Sequence, residues 1–236
     1  MNLFIVFLFG FTILIGSIIV LIKDNKKTRE LSISMAFSVL FLLIFLELIP
    51  EAITHLDYKQ VLLFGFIGVL LLKLLDLFIP EHEHTNKKDH VLHIGLISII
   101  ALILHNIIEG MALYIALKNE THLGIMLGIG VGLHNIPMGM IISSTLKQAK
   151  YSNLKIIIIS SLISLSTMLG ALIIHFIGNI GEYYLGVLLS ITLGMIIYIV
   201  FFELLEHILH QNKKNNITGF IIGFLLILIS LLFHRH

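Results

Sequence analysis

Residues 93–117 read HIGLISIIALILHNIIEGMALYIAL, an unbroken apolar run with a polar centre. As a helix this run extends about 37 Å, enough to cross the roughly 30 Å hydrocarbon layer of a bilayer. His105 stands twelve residues from either end, with Asn106 beside it and Glu109 one turn further on. A charge at the bilayer centre costs at least about 2.5 kcal/mol even on the mildest insertion scales, so these side chains need a partner, a wet cavity or a task. Here the chain crosses a membrane and carries ligating groups at mid-depth.

The rest of the chain has the same character. Its 236 residues are 58% hydrophobic and 12% charged, with a mean hydropathy of +1.04, against roughly 45–50% apolar and 25% charged in soluble domains. A soluble enzyme, a nucleic-acid binder and a disordered tail are excluded. The net charge of +1 offers no basic surface for nucleic acid; the compositional excess is 13 histidines, and the lack of cysteine excludes disulfides and thiolate metal sites. Apolar blocks at about 2–22, 31–53, 61–79, 93–117, 123–146, 155–178, 184–209 and 217–233 predict eight transmembrane helices in one all-α polytopic domain. No Lys or Arg precedes Lys23 and no small-residue cleavage site follows the first block, so it is expected to stay as an uncleaved span.

Basic residues orient the spans. The loops at 23–30, 80–92, 147–155 and 210–216 hold eleven Lys and Arg, against three on the other side (Lys59, Lys118, Arg235). The positive-inside rule therefore predicts cytoplasmic placement of those four loops and extracytoplasmic termini. The longest hydrophilic stretch, 80–92, is too short and polar to bury a core. Its His82, His84 and His90, with neighbouring His93, form a weak candidate for loop metal binding, or an ordinary solvated loop.

The next block repeats the polar centre. HNIIEGM (105–111) and HNIPMGM (134–140) agree at five of seven positions on successive, antiparallel spans. Residues i and i+4 share a helix face, so His105 lies with Glu109 and His134 with Met138, while Asn106 and Asn135 sit about 100° round. Imidazole, carboxylate, amide oxygen and thioether together suit a borderline first-row divalent cation. Pro137 cannot donate to the carbonyl of Leu133, and such interruptions at membrane depth are tolerated where they line a cavity. Interhelical hydrogen bonding is the plainer use of His and Asn here, but it explains neither Glu109 nor the duplication. Elsewhere, Glu203, Glu206 and His207 share one face of span seven, and Glu203 and His207 are candidates for an exit path. Glu47 and Glu51, flanking Pro50 on span two, are candidates for an entrance.

Eight spans, extracytoplasmic termini, a histidine-bearing loop after span three and the paired motifs together resemble the ZIP (ZRT/IRT-like) family of divalent metal transporters, over essentially the whole chain. Weaker echoes are Leu48-Ile49-Pro50-Glu51-Ala52, Leu169-Gly170-Ala171 and Gly194 through Tyr198 leading to Glu203. The resemblance implies a bundle whose first and last three helices are related by inverted symmetry around helices four and five. It implies transport of zinc, iron or manganese into the cytoplasm, with His105, Asn106, Glu109, His134 and Asn135 as ligands. Prokaryotic members often carry Glu at the position of Met138 and near that of Thr167, so one principal site is expected here, with Met138 either soft ligand or filler. The expected partners are the metal ion, as cargo and not as resident cofactor, and the lipid bilayer of the cytoplasmic membrane; homodimer formation is left open. The alternative from another class is an intramembrane metal-dependent hydrolase. It would need about three fixed ligands, an open water position and a separate base, whereas the chain lacks His-Glu-x-x-His and offers one midplane carboxylate.

Overall fold

Backbone amides inside hydrocarbon have no water to bond, so each apolar block must close its hydrogen bonds within a helix. The computed structural model describes residues 1–78, 87–178, 180–209 and 212–234. Among the described residues, eight helices are long and apolar enough to span a membrane. They are α1 (Asn2–Ile22), α2 (Lys26–His55), α3 (Tyr58–Phe78), α4 (Lys87–Asn119), α5 (Thr121–Gln148), α6 (Asn153–Ile177), α7 (Glu182–Leu209) and α8 (Lys213–His234). The polar breaks supply the caps. Asn25 Oδ1 accepts the Thr28 N–H at 2.9 Å to start α2, and Gly178, at φ 89°, takes the positive-φ turn that ends α6.

Two helices change pitch along their length. The α-turn widens to a π-turn at Ile44–Leu48 in α2 and at Ile199–Leu204 in α7. The two segments correspond in sequence, Phe45-Leu46-Glu47-Leu48 against Phe201-Phe202-Glu203-Leu204, so each carries one glutamate. Wide turns of this kind are frequent at functional sites.

The helices associate as α1 with α5, α4 with α6, α2 with α8 and α3 with α7, while α4 and α5 meet at the centre. Exchanging α1 with α6, α2 with α7, α3 with α8 and α4 with α5 maps this set of pairings onto itself, which is the packing of an inverted repeat. Glycines set the closest approaches. A Cβ on Gly16 would meet the carbonyl oxygen of Ile136, and one on Gly139 that of Ile13; between α4 and α6, Gly170 abuts the Ile107 carbonyl and Gly110 that of Thr167. Ile107 and Ile136 are the third residues of the two motifs, and Gly110 and Gly139 the sixth. The shared Ile and Gly thus serve close backbone contact, the packing that lipid-embedded helices use in place of a hydrophobic drive. On the outside, Leu62, Phe66 and Leu70 of α3 and Leu162, Leu165 and Leu169 of α6 stand exposed, as a lipid-facing surface requires.

Candidate metal site

The antiparallel packing of α4 on α5 brings the two polar centres to one depth. His105 and Glu109 lie one turn apart on α4, and His134 faces them from α5. Glu109 Oε1 is 2.7 Å from His134 Nε2 and 3.7 Å from His105 Nε2, and the imidazole rings are 6.1 Å apart, centre to centre. One donor atom from each of the three residues lies within 4.8 Å of the other two. Ligands about 2.1 Å from a tetrahedral zinc ion stand roughly 3.4 Å from one another, so a small rotamer adjustment closes this triangle around an ion.

Burial makes the arrangement costly without a cation. His134 is fully buried and His105 is 4% exposed. The Nε2 atoms of both histidines and Oε2 of Glu109 have no hydrogen-bond partner; the 2.7 Å approach of Glu109 to His134 has ion-pair distance without hydrogen-bond alignment. Asn106 donates Nδ2–H to the carbonyl of Ile163 at 3.3 Å, which fixes its amide and leaves Oδ1 without a donor. Asn135 is fully buried, and its Oδ1 also lacks a donor. These nitrogen and oxygen atoms are of the types a divalent ion takes up.

A cavity of about 390 Å³ reaches this cluster from the end of the bundle where α2 and α4 finish. Its walls include Glu47, Glu51 and His55 of α2, Val131 of α5 and Thr192 of α7, with His105 and Glu109 at its inner end. Toward the opposite end the core closes over with Leu40, Leu43, Met138, Ile142 and Leu146.

Of the residues singled out from sequence, His105, Glu109 and His134 come together, flanked by Asn106 and Asn135. Glu47 and Glu51 share the cavity with His105 and Glu109. Met138 is 1% exposed and packs into the hydrophobic core instead of lining the cavity. Glu203 is buried in the π-turn of α7, His207 is half-buried one turn beyond, and neither lines the cavity. His82 and His84 lie outside the described residues, and His90 falls on the first turn of α4. Sequence reasoning passed over His55 and Thr192. His55 carried a usable signal, being four residues beyond Glu51; Thr192 carried none, since a hydroxyl in an apolar helix is common.

Known proteins resemble this sequence over most of its length. The sequence profile described as ZIP Zinc transporter matches residues 79–231. The chain is 32% identical over 242 residues to the zinc transporter ZupT of Streptococcus mutans, covering 92% of this chain and 91% of that protein. It is 31% identical over 245 residues to ZupT of Chlorobium chlorochromatii (92% and 91% covered) and 30% identical over 268 residues to ZupT of Campylobacter jejuni (94% and 92% covered). With a profile match over more than half its length and relatives of this similarity along nearly all of it, the chain is an integral membrane protein that belongs to the ZIP zinc transporter family.

Proposed function

We propose that this chain carries a divalent metal ion, zinc in the first place, across the cytoplasmic membrane into the cytoplasm by way of the His105, Glu109 and His134 cluster. One observation carries the reading: three buried donor side chains converge within 4.8 Å beside a cavity of about 390 Å³, in a member of a zinc transporter family. Two imidazoles and one carboxylate favour zinc and also accept iron(II) or, less well, manganese(II). The family is one of transporters, so the hydrolase alternative is set aside.

The ion enters from the open end past Glu51 and Glu47. At mid-depth it exchanges part of its water for His105, Glu109 and His134, with the Asn106 and Asn135 oxygens close by. Release toward the basic loops requires the Met138, Ile142 and Leu146 side to part, after which Glu203 and His207 lie on the way out. Direction rests on the analogy with the transporter family; the positive-inside count serves only to orient the chain, with the cavity mouth and both termini taken as outside. A carrier site must load and also unload, so a shell completed by water suits the task.

The test is uptake of labelled zinc, iron and manganese into proteoliposomes by the full chain and by His105→Ala at equal reconstituted amounts. Zinc loading by the native protein, lost in the variant, is the expected result. Equal zinc loading by both would remove the midplane cluster from the pathway.

A further inference from the structure

The last turns of α2 hold a second set of ligating groups, away from the midplane. Glu47, Glu51 and His55 are spaced four residues apart, so they climb one side of the helix in steps of about 6 Å. All three line the cavity whose inner end holds His105 and Glu109. His55 Nε2 is 3.4 Å from Glu51 Oε1, and both ring nitrogens of His55 are enclosed without a hydrogen-bond partner. The backbone is held close at this point: a Cβ on Gly186 of α7 would stand 2.7 Å from the Cβ of His55, so the two helices touch there through the glycine. Glu51, by contrast, keeps half its side chain exposed at the cavity mouth. A histidine at a helix end beside water ordinarily satisfies at least one nitrogen. Here the imidazole stands within 3.4 Å of a carboxylate, on the wall of a route to a cation site.

We propose that Glu51 and His55 form an outer loading site for a divalent metal ion, distinct from the midplane site. The proposal rests on the transport reading above. The i, i+4 pair supplies one nitrogen and one oxygen ligand, and water fills the remaining positions. Two protein ligands, one of them exposed, bind more weakly than the buried cluster, so the ion is captured and handed on. Glu47, one step deeper, shortens the transfer.

The chain has no cysteine, so His55→Cys introduces a single thiol that is itself a zinc ligand. Its reaction with a water-soluble methanethiosulfonate is followed on the full-length protein in detergent, with and without zinc chloride. Zinc at ten times its dissociation constant slows labelling about 11-fold if the ion sits on that side chain. Adding Glu51→Gln reduces the slowing at the same zinc concentration to less than about threefold, the effect of a tenfold weaker site. Adding His105→Ala instead leaves it intact. A thiol that does not react, labelling indifferent to zinc, protection unaffected by Glu51→Gln, or protection lost with His105→Ala each overturns the proposal. In proteoliposomes, His55→Ala raises the zinc KM at least about fivefold while kcat holds, because the loss is confined to ground-state capture. Failure of the transport reading looks different: His105→Ala then transports like the native protein, whatever the thiol reports.

Discussion

Replacing Glu109 by glutamine is the most direct trial of the midplane site, because it removes one charge and almost no volume. Glu109 lies in contact distance of both histidines and its side chain is only 9% exposed. Two unit charges 4 Å apart attract by about 4 kcal/mol at an effective dielectric constant near 20, and the ion carries two charges at a shorter distance. Desolvation of the ion and of the carboxylate takes back much of this, and a net loss of about 3 kcal/mol is a moderate expectation, or roughly 150-fold in zinc affinity. Initial zinc uptake measured across zinc concentrations, with equal protein per vesicle, should therefore show kcat/KM reduced by about two orders of magnitude. The amide keeps the shape and volume of the side chain, so elution on gel filtration and thermal unfolding in detergent should match the native protein. Uptake within about threefold of native, in a folded variant, would refute Glu109 as a ligand of the transported ion.

Further substitutions separate ligands from scaffold. Met138→Leu keeps the volume of a core side chain, so it should cost less than about 1.5 kcal/mol of stability and leave the zinc KM unchanged; a roughly tenfold rise in KM would make the thioether a ligand. Gly139→Val and Gly170→Val each push a side chain into the neighbouring helix's backbone, and thermal unfolding should show a loss of roughly 1–3 kcal/mol or more for both. Asp24, at the α1–α2 junction, is held below its usual carboxylate range by the Arg29 guanidinium at 2.7 Å, with Lys147 at 3.8 Å adding to the effect. A depressed carboxylate stabilises the fold above its unfolded pKa of 3.8 and loses that contribution as pH falls through the lower folded value. Asp24→Asn should therefore unfold earlier by about 0.5–1 kcal/mol at neutral pH, with the difference from native vanishing in strong acid.

The architecture was legible because a bilayer demands internally bonded helices of fixed length, and the apolar blocks display that length directly. The midplane triad was legible because His105, Glu109 and His134 are expensive where they stand. Side chains that cost little where they stand were harder to place. Met138 shares the i+4 relation to His134 that Glu109 has to His105, yet it packs into the core with Ile142 and Leu146, and hydropathy does not distinguish two apolar surroundings. His55 fell outside the second apolar block, which stops at residue 53, although the backbone continues in the same helix to His55. The paired glycine contacts were the least legible of all. Their pairing with the motif isoleucines depends on which helices are neighbours, which a single chain does not spell out.

The π-turns in α2 and α7 bear on where these helices tolerate a change of length. A regular helix advances about 100° per residue, so one residue more or fewer in an α-turn swings everything beyond it by that angle. A π-turn closes its hydrogen bond one residue later than an α-turn and so holds an extra residue locally, with ordinary helix on either side. Deleting one residue within Ile44–Leu48 would let α2 return to even pitch and leave Glu51 and His55 near their present faces. The same deletion a turn later would rotate both away from the cavity. Ile199–Leu204 gives α7 an equivalent allowance ahead of His207. Each of these helices therefore carries one place where the chain can shorten without losing aim, and it lies between the helix body and the end that meets water.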